Sequence, residues 1–259
     1  MRALRSLLLF VWGGAAVPSI AWGASPSHGY RGGVVTDLDT VGVLMESALG
    51  PNGGTHLFQV QAASSIEEWR LLAAMPVASL RTYRGRAVAL GNLLVHIQRR
   101  VGFADQEGAA GLAVHLNPGG DAYTWVQKTD QLWPGSGLEG TWDAHHRRGD
   151  RVWMWGARAG VHTSAGYEPV PATFVRLMMQ GGMEQKLSDS WSFVGEVSVS
   201  YWDLAPLLAA TFVAWEPVEG LRAQGGLVHP VATWIGWTPA QATRGFQETT
   251  AVFEVTFAQ

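Results

Sequence analysis

The sequence predicts an all-β chain, an antiparallel transmembrane up-and-down β-barrel of about 12 strands. Three observations predict it. From Trp191 to Tyr201 every second residue is apolar or small (Trp191, Phe193, Gly195, Val197, Val199, Tyr201), and the places between include Ser192, Glu196, Ser198 and Ser200. Side chains on a strand alternate between its two faces, so this segment has one apolar and one polar face. The pattern recurs along the chain, with aromatic residues near many strand ends. Composition is the third observation. The chain of 259 residues holds 32 glycines and 13 tryptophans, yet only 15% of it is charged. A barrel wall in lipid needs these traits together: apolar outside, polar inside, aromatics at the interfaces. A secreted soluble β-sandwich would also alternate. The many long strands and the few charges on the apolar face favour the barrel.

The strands follow in order. The first is expected at Thr40–Ala48. The second, Thr55–Ala63, sets Phe58, Val60 and Ala62 against Gln59 and Gln61, and the third, Glu68–Pro76, sets Trp69, Leu71, Ala73 and Met75 against Arg70. The fourth, Ala87–Arg99, opposes Leu93, Val95 and Ile97 to Asn92, His96 and Gln98. The fifth is Gly108–Leu116 and the sixth lies near Gly137–His145. The seventh, Arg151–Thr163, places Trp153, Trp155, Ala157 and Val161 opposite Arg158 and His162; the eighth, Ala172–Lys186, places Val175, Leu177 and Met179 opposite Arg176, Gln180 and Glu184. Ser190–Trp202 is the ninth, Pro206–Trp215 the tenth, Gly220–His229 the eleventh with Arg222 and Gln224 on its polar face, and Thr249–Ala258 the twelfth.

Connections give a second test, because bacterial barrels have tight turns at one end and longer loops at the other. The even-numbered connections are short at Ser64–Glu67, His146–Asp150, Leu187–Asp189 and Glu216–Glu219. The fourth, Arg100–Glu107, is longer than the pattern wants. The longest stretches, Asn117–Ser136 and Pro230–Glu248, are both odd-numbered.

The N-terminal 23 residues stand apart. Arg2 and Arg5 precede the apolar run Leu7–Val11, and Ala21-Trp22-Gly23 offers small residues at a cleavage site. This is the pattern of a secretory signal peptide. Residues 24–37 then form an N-terminal segment and residues 38–259 the barrel, an exported chain placed in the cell outer membrane. With no cysteine there is no disulfide framework or thiolate metal site. The net charge of −3 gives no reason to expect a nucleic-acid partner. The expected partners are outer-membrane lipid, the barrel assembly machinery and a small hydrophobic solute.

Several short segments carry a family resemblance: Arg70–Val77 (RLLAAMPV), Gly85–Gln98 (GRAVALGNLLVHIQ), Leu112–Gly119 (LAVHLNPG), Gly135–Asp143 (GSGLEGTWD) and Leu187–Glu196 (LSDSWSFVGE). Their order resembles the outer-membrane barrel family named for the meta-cleavage pathway of phenol degradation. The chain has Asn92 where that family has aspartate, and Asn117-Pro118-Gly119 where it has Pro-Thr-Gly. The resemblance implies a channel or transporter for small hydrophobic or aromatic molecules and supplies no catalytic residues; no cofactor is expected.

The polar faces predict a lumen lined by Arg70, Asn92, His96, Gln98, Arg158, Arg176, Gln180, Glu184, Glu196, Arg222 and Gln224. Such a lining either selects solutes or pairs across neighbouring strands and closes the lumen of a non-conducting structural barrel. Arg176 and Glu196, on adjacent strands, are the expected pair. His145-His146 suggests a metal pair, but adjacent residues on a regular strand face opposite ways, so no metal site is assigned there. His162 and Ser164 share a face and suggest a membrane esterase or lipid deacylase, with Glu168 or Glu184 to orient the base. Trp69, Trp153, Trp191, Trp202 and Trp215 sit near strand ends as an interfacial girdle. Trp125, Trp133, Trp234 and Trp237 lie in the long loops.

Overall fold

Each of twelve staves pairs antiparallel with two neighbours, and the ring closes where the second strand meets both the first and the third. The structure, a computed structural model, describes residues 39–48, 56–82, 85–90, 92–103, 106–116, 136–163, 173–201, 207–232 and 249–258. In chain order the strands are β1 (Thr40–Ala48), β2 (His56–Ile66), β3 (Trp69–Thr82), β4 (Gly85–Leu90), β5 (Leu93–Phe103), β6 (Gln106–Leu116), β7 (Gly137–Arg148), β8 (Arg151–Thr163), β9 (Thr173–Lys186), β10 (Trp191–Tyr201), β11 (Leu207–Val218), β12 (Leu221–Ala232) and β13 (Thr250–Ala258). No helix occurs among the described residues. Closure removes every sheet edge within the ring, which excludes the soluble sandwich.

Thirteen strands make twelve staves because β4 and β5 share one. Trp69–Ala74 of β3 pairs with β5, and Val77–Thr82 pairs with β4. The single fourth strand expected from the sequence is thus two, β4 ending at Leu90 and β5 starting at Leu93, and β4 with the far half of β3 forms a hairpin beyond the ring. The long fourth connection is also corrected. β5 and β6 stay paired out to Phe103 and Gln106, so two residues join them. All five turns at this end are short. Gly149 and Gly220 sit in two of them with φ of 59° and 80°, a region glycine enters without strain, and Glu67 adopts φ 56° in a third.

The outer face is apolar. Val60, Leu71, Ile97, Val161, Val197 and Phe253 are each about half exposed, and in a closed barrel that face is the convex one. No described residue covers it, and an apolar surface of this extent belongs against lipid. Trp69, Trp153, Trp191 and Trp215 gather on it at the tight-turn end, and the rings of Trp191 and Trp215 stack at 6.0 Å on paired positions of β10 and β11. Arg99 lies 5.8 Å over the Trp69 ring and bonds Glu68 at 2.9 Å, where headgroups would begin. Trp202 and the four long-loop tryptophans lie outside the described residues.

Candidate functional site

The polar face turns inward. All eleven residues assigned to the lumen lie on this face, each 7% exposed or less. Glu46, Gln59, Gln61, His115, Glu139, Asp143, His162 and Glu254 join them there. Register, not proximity in sequence, sorts them into groups.

At the tight-turn end Arg222 of β12 reaches Glu184 of β9 with both terminal nitrogens, at 3.0–3.2 Å, and also contacts Glu216. These groups border a cavity of about 550 Å³ that opens among the short turns. Nearby, Glu254 accepts from Gln61 at 2.8 Å and Gln224 at 2.5 Å. Midway along the wall Asp143 accepts from Gln98 at 3.0 Å and Gln180 at 3.3 Å, while His96 lies 2.8 Å from the Thr141 hydroxyl. Arg70 donates to Thr40 at 3.1 Å. Toward the long-loop end, Glu139 accepts from His162 Nε2 at 2.8 Å, Arg176 Nη1 at 3.1 Å and His115 Nε2 at 3.2 Å.

The expected Arg176–Glu196 pair is therefore replaced by Arg176–Glu139. Register explains it. Glu196 stands opposite Gly182, and Arg176 lies six residues further along β9, roughly 20 Å at strand rise and beyond reach. His162 points into the barrel against Glu139, away from lipid, and Glu184 is held by Arg222. Ser164 and Glu168 of the esterase reading lie outside the described residues. His145 lies 3.3 Å from Glu107.

Glycines on the inner face make room for these side chains. A Cβ on Gly160 would stand 2.6 Å from Glu139 Cγ and collide with the Leu138 carbonyl oxygen, whereas one on Gly140 would meet only the Ala159 carbonyl at 3.7 Å. Gly160→Ala is expected to cost about 1–3 kcal/mol, because backbone cannot yield cheaply. Gly140→Ala is expected to stay within about 0.5 kcal/mol. Urea unfolding of both variants in detergent checks the pair.

Not all of the inner wall is polar. Leu44, Val152, Met154, Val194, Leu208, Phe212, Val228 and Val252 form one buried cluster running from β8 across β10, β11, β12 and β13 to β1. The lumen thus has an apolar flank beside its polar groups.

A closed ring, a lipid-facing apolar surface and a polar inner wall define a transmembrane β-barrel of the outer-membrane type. Solved structures share the fold. An outer membrane channel from Pseudomonas putida F1 superposes with a TM-score of 0.61 at 9% identity, covering 89% of this chain and 98% of that one. The NanC porin gives 0.56 at 9% identity (85% and 98% covered), and the KdgM porin 0.54 at 8% (84% and 98%). No family model matches the chain, and no curated protein does.

Proposed function

We propose that the chain is an outer-membrane channel that passes small, weakly polar molecules passively. In this reading residues 1–23 export it, residues 24–37 lead into the barrel, and the assembly machinery folds it. The observation that carries the reading is the two-sided inner wall. An apolar flank centred on Phe212 suits the hydrocarbon part of a solute, and the polar groups suit a hydroxyl or amide. The resemblance to the phenol meta-cleavage family supports the same solute class, and a shared fold with known channels agrees with passive passage.

A second reading, a non-conducting structural barrel, is favoured by one observation. Away from the tight-turn mouth, where Glu216 is 34% exposed, the inner wall is closely filled by polar side chains such as Arg70, Glu139 and Glu254, each 1% exposed or less. Planar-bilayer recording separates the two. A channel is expected to show small unitary currents that phenol blocks at lower concentration than glycerol. Phe212→Ala, which shaves the apolar flank, is expected to widen the passage and raise conductance. Silence in both proteins would leave the structural barrel.

A further inference from the structure

We propose that His115, Glu139 and His162 form a binding site for one divalent transition-metal ion, with zinc as the best match. The three come from adjacent staves, and register brings them together. Gly137 of β7 is paired with His115 of β6 on one side and His162 of β8 on the other. It has no side chain to separate them, and a Cβ there would strike the His162 ring. The two imidazoles therefore lean over Gly137, with ring centroids 5.2 Å apart. Glu139, two residues along on the same inward face, places one carboxylate oxygen before each ring.

The donor set then fits a metal better than it fits any solute-lining role. The ligating atoms all lie within 4.8 Å of one another, and the side chains are 1%, 0% and 2% exposed. Two imidazole nitrogens and one carboxylate oxygen suit zinc and its neighbours, while magnesium and calcium favour all-oxygen cages. Small movements would bring the three atoms to the roughly 2.0–2.2 Å that zinc needs, with a fourth position left open. Among the described residues, His115 Nε2 bonds Glu139 alone and Nδ1 has no hydrogen-bond partner, so a small shift of the ring breaks no other hydrogen bond there.

Arg176 is the competitor. Its guanidinium bonds Glu139 Oε1, the oxygen that also faces His162, at 3.1 Å and meets the Met178 sulfur at 3.6 Å. Without an ion it balances the carboxylate; with one it is repelled toward Met178. The site does not depend on whether the barrel conducts, because binding is read without transport.

The test uses the full chain refolded in detergent, stripped of metal, at about pH 7.5, where imidazole is mostly free of protons. Cobalt(II) is titrated by its visible absorption and then displaced with zinc. Heat-modifiable migration on gels confirms that each variant is folded. One ion per chain is expected, bound at least tenfold more weakly by His115→Gln, His162→Gln and Glu139→Gln. Arg176→Gln is expected to bind more tightly. His115→Gln removes only one hydrogen bond and so keeps the test alive if another variant fails to fold. The proposal is overturned by a folded wild-type chain that takes up neither metal, by uptake that survives His115→Gln undiminished, or by weaker uptake in Arg176→Gln.

Discussion

Replacing Glu139 with leucine is expected to cost the barrel about 3–5 kcal/mol, since removing one partner strands a buried charge. Arg176 is that charge. It is 1% exposed, and Glu139 neutralises it at 3.1 Å. The same substitution deprives His115 and His162 of their acceptor, and each buried donor left unmatched adds about 1–3 kcal/mol. Glu139→Gln is expected to cost less, because its carbonyl oxygen still accepts one of the three bonds. The double variant Glu139→Leu/Arg176→Met is expected to recover much of the loss, since replacing a buried pair by apolar groups of similar volume is often neutral. Urea midpoints in detergent rank the three. A Glu139→Leu midpoint equal to that of the wild type would mean that water or another group compensates Arg176.

How much of this was legible beforehand differs strand by strand. β8 runs from Arg151 to Thr163, the bounds its alternation implies, because Trp153, Trp155 and Ala157 against Arg158 and His162 leave only one face to bury. β1 is equally plain. The division of β4 from β5 is not, since Ala87-Val88-Ala89-Leu90 is apolar at every position and no alternation marks where one strand ends and the next begins. The fourth connection looked long because Arg100, Asp105 and Glu107 are polar, yet a turn beside headgroups tolerates charge on paired residues. Glu139 was missed as an inward residue although Glu139, Thr141 and Asp143 alternate with Leu138, Gly140 and Trp142. The signal was present but diluted by two glycines. The meeting of His115 with His162 had no signal at all within either strand. It depends on inter-strand register, and a period of two says which face a residue takes but not which neighbour it meets.

Arg222→Met is expected to lower stability by about 3–5 kcal/mol as well, by a different route. Arg222 spans from β12 past β11 and β10 to Glu184 on β9, and it also holds Glu216 at the strand end. Removing it leaves two carboxylates facing one another without the cation between them, and like charges in a site of low polarity repel strongly. The double variant Arg222→Met/Glu184→Leu removes one of those carboxylates and is expected to restore most of the loss. The magnitude carries further information, because the pair borders the 550 Å³ cavity at the tight-turn end. An ion pair reached by water is worth about 0–1 kcal/mol, so a loss of that size would describe a wet lumen, open at this mouth. The larger loss follows from side chains that are each 5% exposed. In the proposed channel, it would place a constriction at Arg222, where a solute entering from the short turns would have to separate Arg222 from Glu184. In that case Arg222→Met should raise conductance while lowering stability, and bilayer recording on the variant that unfolds earliest in urea reads both effects in one protein.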